Sequence, residues 1–262
     1  MTSIRWAIAD TAVVTKRNLL RYVRIPQLLV FSTVQPIMFL LLFTYVFGGA
    51  IGGQLPPGVP YIDFLLPGLL VQTTLFGASQ TGVGLAEDMQ KGFVDRFRSL
   101  PMARSAVLAG RTVSDVTRNT LDAILTVAVG MIIGFRIHQG VPKAVLALVV
   151  LALFGFAFTW ISATIGLAVN DVETAQTAGF IWIFPLVFAS SVFVPVDTMP
   201  GWLQAFARVN PVTVAANAVR GLTFGVPPGQ SEWAWVGYTM LWVAGLLVVF
   251  GTLAVRRYRR IT

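Results

Sequence analysis

Apolar residues fall in six long blocks along this chain, divided by short polar or glycine- and proline-rich interruptions. A helix of about 20 apolar residues crosses a hydrocarbon layer about 30 Å thick. The pattern predicts spans over residues 28–47, 63–85, 111–135, 144–169, 174–193 and 233–255. Two stretches carry a different pattern. In residues 3–24, Ile4, Ala7, Ile8, Thr11, Val14 and Leu19 recur at helical spacing among Arg5, Lys16, Arg17, Arg21 and Arg24. That is the pattern of a helix lying on a membrane surface. Residues 87–100 form the longest charged segment; as a helix it puts Met89, Phe93, Phe97 and Leu100 on one face. Asp88, Lys91, Asp95 and Arg98 take the other, and Pro101 ends it. Such a helix is either a handle gripped by another protein or a segment resting on lipid headgroups.

Residues 195–231 break the rhythm. Pro195, Pro200, Pro211, Pro227 and Pro228 cut them into pieces too short to span, with helices expected over 201–209 and 212–224. A re-entrant helical hairpin fits, since irregular backbone at membrane depth must be covered by protein or line a water-filled cavity. The fold class expected is an all-α polytopic membrane protein: one transmembrane domain over 1–262, with six transmembrane helices, the surface helix, the helix between spans 2 and 3 and the hairpin between spans 5 and 6.

Composition agrees. The chain is 56% hydrophobic and 11% charged, against about 25% charged in soluble domains, and its mean hydropathy is +0.76. A net charge of +8 would suit nucleic acid, but the placement of the basic residues gives another explanation. Six spans put fifteen of the nineteen Lys and Arg on the side of the termini, leaving Arg136, Lys143, Arg208 and Arg220 opposite. That asymmetry sets both termini in the cytoplasm and the hairpin outside. No cleavable signal peptide is expected, and no nucleic-acid partner.

Candidate chemistry is sparse. With no cysteine and one histidine, His138, thiolate and histidine-rich metal sites are excluded. No glycine precedes a lysine, so no Gly-Lys-Ser/Thr phosphate loop exists and ATP is not expected to bind here. No clustered catalytic groups suggest an enzyme. Asp115, Arg118, Asn119 and Asp122 share a face of span 3, at i, i+3, i+4 and i+7. They form either a structural ion-pair face at the cytoplasmic end or the working groups of an ion-coupled carrier. Gln35, Phe39, Gln72, Phe76, Gln80, Phe180 and Phe184 are candidates for a substrate route, and equally for helix packing.

The ordered set Phe64-Leu65-Leu66-Pro67-Gly68, Arg96-Phe97-Arg98-Ser99-Leu100-Pro101-Met102-Ala103-Arg104, Gly110-Arg111, Met199-Pro200-Gly201-Trp202-Leu203, Asn210-Pro211-Val212-Thr213 and Arg220-Gly221 covers nearly the whole chain. In this it resembles the permease subunits of type-2 ABC exporters of the daunorubicin-resistance class. The resemblance implies a bacterial plasma-membrane subunit that pairs with a second permease, itself or a homologue. It also implies docking to a separate ABC ATPase, which holds ATP and Mg. Residues 87–100 become the coupling helix, with Met89, Phe93, Phe97 and Leu100 as anchors and Arg96 and Arg98 beside them. The cargo implied is an amphiphilic drug, lipid or glycolipid, moved outward along spans 1, 2 and 5.

Overall fold

The computed structural model describes residues 26–55, 58–91, 104–169, 171–227 and 229–261, and among them the chain is helical without strands. The surface helix expected over 3–24 and residues 92–100 of the expected coupling helix lie outside the described residues. Helix α1 (Pro26–Leu42) continues through a π-helical turn, Phe43–Phe47, into Gly48–Gly52, so part of the glycine-rich segment expected as loop is helical. Then come α2 (Tyr61–Gln90), α3 (Arg104–Ile133), α4 (Val141–Gly166) and α5 (Val172–Phe188). Two short helices, α6 (Gly201–Val209) and α7 (Pro211–Thr223), precede α8 (Glu232–Leu246). Helix α8 runs on through a second π-helical turn, Leu247–Gly251, into Thr252–Ile261.

Five of these helical stretches, Thr33–Gly52, Tyr61–Gln90, Thr112–Ile133, Val141–Gly166 and Glu232–Arg257, are long and apolar enough to cross a membrane. Helix α5 has 17 residues and ends at Phe188, five residues short of the span expected over 174–193. The reason is a side chain from further along the chain. Asn210 Nδ2 donates to Leu186 O (2.8 Å) and Ala189 O (2.9 Å), taking carbonyls at the end of α5 that a longer helix would use itself. At its other end α5 is capped by Asp171, whose carboxylate accepts from the Thr174 amide and hydroxyl, both at 2.7 Å. Those bonds, the hydroxyl's first, hold the Asp171 carboxyl below the usual carboxylate range.

Helix α2 is the centre of the bundle. Twenty of its thirty residues are buried, and it packs against α4, α5, α3 and α7. The α2–α4 contact is made by small residues, as helices approaching closely in lipid require. A Cβ on Gly82 would stand 2.3 Å from Ser162 O, and one on Gly166 would stand 2.3 Å from Gly82 O. A Cβ on Gly155 would stand 2.5 Å from the Thr74 methyl. Helix α5 lies along α2 in the opposite sense, Gly179 beside Ser79 and Phe184 beside Phe76.

One end of the bundle gathers the α2 N-terminus, the α3–α4 turn, α6, α7 and the start of α8. There Arg136 N donates to Asp63 Oδ1 (3.2 Å), His138 N to Thr223 O (2.8 Å), and Lys143 pairs with Glu232 at 2.6 Å. The opposite end is closed by a small apolar cluster, Leu85, Ala163, Leu167 and Ala254.

Candidate functional site

Five of the seven residues singled out as a substrate route line one cleft. Gln35 and Phe39 come from α1, and Gln72, Phe76 and Gln80 from α2. Arg118, Asn119 and Asp122 of α3 close the third side, around a volume of about 330 Å³. Helix geometry explains the grouping: Gln72, Phe76 and Gln80 follow at steps of four and so share one face of α2. Gly77, between them, admits the α3 side chains, since a Cβ there would fall 2.2 Å from Asn119 Oδ1. Arg118 uses that opening to donate to Gly77 O (3.3 Å) and Asn119 Oδ1 (3.2 Å).

The polar face of α3 therefore splits. Asp115, 4% exposed, turns to α2 and accepts from Thr81 Oγ1 at 2.7 Å. Asp122 turns to α1 and accepts from Thr33 Oγ1 at 3.4 Å. Arg118 and Asn119 remain on the cleft wall between them. Gln72 is 2% exposed, and its Oε1 accepts from no donor among the described residues; nor does Asn119 Nδ2 find an acceptor there. Buried amide groups left this way are what a polar ligand group or a water would satisfy.

The other two route candidates stand behind Phe76. Its ring centroid lies 6.2 Å from that of Phe180 and 5.7 Å from that of Phe184. From Phe184 the rings continue through Phe188 (5.5 Å), Phe193 (5.6 Å) and Phe43 (4.4 Å) back to Phe39 (6.2 Å). An aromatic band thus starts and ends on the two phenylalanines of the cleft. Phe184 and Phe188 are about half exposed, so the band presents an apolar face outward.

Sequence reasoning did not find the second feature, a clamp at the hairpin end. Arg220 is 8% exposed on α7. Its Nε donates to Phe64 O (2.9 Å), and its two terminal nitrogens reach Ser191 Oγ (2.9 Å), Asn217 Oδ1 (2.9 Å), Ser191 O (2.6 Å) and Val192 O (3.3 Å). The guanidinium also stands 3.7 Å over the Phe64 ring. Gly68 makes room, since a Cβ there would meet Val192 O at 2.7 Å. Asn210 Oδ1 caps α7 through the Val212 amide (2.9 Å), Thr213 Oγ1 accepts from Ser191 N (3.0 Å), and Tyr61 donates to Phe193 O (2.9 Å). The Pro-Gly of span 2, the Asn-Pro break and Arg220 thus serve one turn, residues 189–193. The signal available beforehand was a charged residue inside an apolar hairpin without a carboxylate nearby in sequence.

Of the expected coupling segment, Glu87, Asp88, Met89 and Gln90 continue α2 without a break, and Lys91 pairs with Glu87. Met89 packs against the cluster of Leu85, Ala163, Leu167 and Ala254. Phe93, Arg96, Phe97, Arg98 and Leu100 lie outside the described residues. Among the described residues, no three His, Asp or Glu side chains stand close enough to share a metal ion.

Residues 10–224 match the family model described as ABC-2 type transporter. Over 253 residues, covering 97% of this chain and 87% of the relative, the sequence is 38% identical to a daunorubicin resistance ABC transporter permease protein of Streptomyces coeruleorubidus. A probable doxorubicin resistance ABC transporter permease protein of Mycobacterium tuberculosis (strain CDC 1551 / Oshkosh) is 25% identical over 98% of this chain and 90% of its own length. A putative transport permease of Cyanophora paradoxa is 25% identical over 82% of this chain and 74% of its own length.

Proposed function

The chain belongs to the ABC-2 type transporter family as a permease subunit, and we propose that it is the membrane-spanning part of an exporter powered by a separate ABC ATPase. The cargo is an amphiphile, a drug or a lipid-like molecule, and the cleft between α1, α2 and α3 lies on its route. The observation that carries this reading is the composition of that cleft: three glutamines, an arginine and an asparagine among the rings of Phe39 and Phe76. An amphiphile needs both kinds of surface, and Gln72 Oε1 and Asn119 Nδ2, which find no partner among the described residues, add to the polar half. That two of the relatives above are named for resistance to anthracycline drugs adds weight on the cargo.

In this reading α5, though only 17 residues, completes a sixth crossing beside α2, and the arginine-rich C-terminal segment faces the cytoplasm. The permease works with a second copy or a homologous permease. ATP and Mg bind to the ATPase, which grips residues 87–100 through Phe93, Phe97 and Leu100. The test is ATP-dependent accumulation of daunorubicin in inside-out vesicles holding the permease and its ATPase. Accumulation that survives a disabled ATPase, or fails with an active one, would overturn the reading. Two variants locate its parts. Gln72→Leu is expected to lower the initial uptake rate about fivefold at equal membrane insertion, the effect of about 1 kcal/mol lost with one buried polar contact. Unchanged uptake would take the cleft off the route. Phe93→Asp is expected to leave the permease inserted while the ATPase no longer co-purifies with it; undiminished co-purification would exclude Phe93 as an anchor.

A further inference from the structure

At the end of the bundle opposite the hairpin, α4 and α8 border an open groove of about 470 Å³. Its floor is apolar, with Phe156 and Trp160 from α4 and Leu247 and Val255 from the α8 side, and the exposed Arg256 stands at its rim. The groove lies where the π-helical turn Leu247–Gly251 interrupts α8. Such a turn shifts backbone carbonyls out of the regular helical ladder, and π turns are frequent at functional sites. Neighbouring hydroxyls take those carbonyls. Thr252 Oγ1 donates to Val248 O (2.8 Å) and Val249 O (2.9 Å), and Thr164 Oγ1 to Phe250 O (3.4 Å). Trp160 receives no such help. Its buried Nε1–H donates to no acceptor among the described residues, although a buried indole ordinarily finds one.

We propose that this groove holds one anionic phospholipid, with its phosphate at Arg256 and an acyl chain along Phe156, Trp160 and Leu247. The occupant follows from the surroundings. On the same stretch of α8, Val248, Val249 and Leu253 are exposed, so the apolar floor runs out onto the face that meets lipid tails. A soluble anion would have no use for that floor, and an uncharged amphiphile none for the cation. Arg256 opens a run with Arg257, Arg259 and Arg260, and juxtamembrane basic clusters concentrate anionic headgroups. Arg257 is engaged elsewhere, since its Nε donates to Leu167 O at 3.2 Å and ties α8 to the end of α4. Arg256, which lines the groove itself, is the headgroup ligand. The proposal needs only that this end of the bundle lie at a headgroup layer, and it is independent of cargo and direction.

The full-length protein in nanodiscs tests it. Trp160 emission is read as the difference between the wild type and Trp160→Phe while brominated phosphatidylglycerol or brominated phosphatidylcholine is titrated in. Half-quenching is expected at a mole fraction of the glycerol lipid about fivefold lower than of the choline lipid, the preference worth one arginine at a membrane surface. Arg256→Gln should erase the preference, and inorganic phosphate at tens of millimolar should not disturb it. Equal quenching by the two lipids, a preference that survives Arg256→Gln, or displacement by inorganic phosphate would each overturn the assignment. Native mass spectrometry gives a second reading that needs no tryptophan variant: Arg256→Gln should retain one phosphatidylglycerol fewer per chain, and an unchanged count speaks against the site.

Discussion

Arg220→Met is expected to lower the midpoint of thermal unfolding in detergent by roughly 10 °C, while Arg208→Met leaves it nearly unchanged. The two arginines sit on adjacent helices at the same end of the fold, but their surroundings differ. Arg208 reaches Asp197 at 3.3 Å, and the two side chains are 64% and 87% exposed. Exposed pairs contribute about 0–1 kcal/mol. Arg220 donates to the carbonyls of Phe64, Ser191 and Val192 from a buried position. Methionine keeps much of the bulk but donates nothing, and each buried group left without its partner costs about 1–3 kcal/mol. Two orphaned carbonyls on the turn after α5 are therefore expected to cost about 2–6 kcal/mol, with about 2–4 °C per kcal/mol for a chain near this size. Arg220→Lys should rescue only part, because an ammonium cannot reproduce the planar fork that spans α2 and the turn. Equal losses for the Arg220 and Arg208 variants in a fluorescence-monitored melt would remove the clamp.

Gly82→Val is expected to abolish the folded protein, measured as the loss of the monodisperse peak in detergent size-exclusion chromatography at normal synthesis. A Cβ on Gly82 meets Ser162 O at 2.3 Å and Ser162 C at 2.9 Å. Both are backbone atoms of α4, so no rotamer change relieves the overlap, and α2 and α4 must separate. Among the described residues they form the most extensive helix pair. Overpacking a tight core costs about 1–3 kcal/mol where side chains can yield, and more where they cannot. Gly179→Ala is the control. There the new Cβ would lie 3.5 Å from Ser79 Cβ, an ordinary contact, and replacing a helical glycine by alanine stabilises by up to about 1 kcal/mol. A wild-type profile for Gly82→Val would mean that α2 and α4 do not touch as described.

Hydrophobic periodicity reaches a long way into this fold and stops at identifiable points. The helices and the proline-bounded pair α6 and α7 follow from local pattern, because helix hydrogen bonds and proline geometry are local. The cleft was half legible. Steps of four on α2 group Gln72, Phe76 and Gln80, but that Gly77 lets Asn119 and Arg118 in beside them depends on where α3 packs. Asp115, Arg118 and Asp122 share a face by spacing, yet Asp115 turns to Thr81 on α2 and Asp122 to Thr33 on α1. The clamp was the least legible part. Arg220 and Phe64 are 156 positions apart, and nothing local tells a buried arginine that ligates carbonyls from one that marks the outer side. The early end of α5 has the same origin, a side chain from Asn210 acting on carbonyls more than twenty positions earlier.

The length of α2 has a mechanical consequence. Thirty residues make a rod about 45 Å long, while the hydrocarbon layer takes up about 30 Å. Backbone contact at Gly82 and Gly166 holds α2 close against α4, so a tilt of α2 carries α4 with it at that point. A tilt of about 5° pivoting at the Gln90 end would carry Tyr61 sideways by roughly 4 Å, from the rod's length, and with it the turn that Arg220 fastens there. A small rotation at the Gln90 end would thus become a displacement of atomic size at the Tyr61 end.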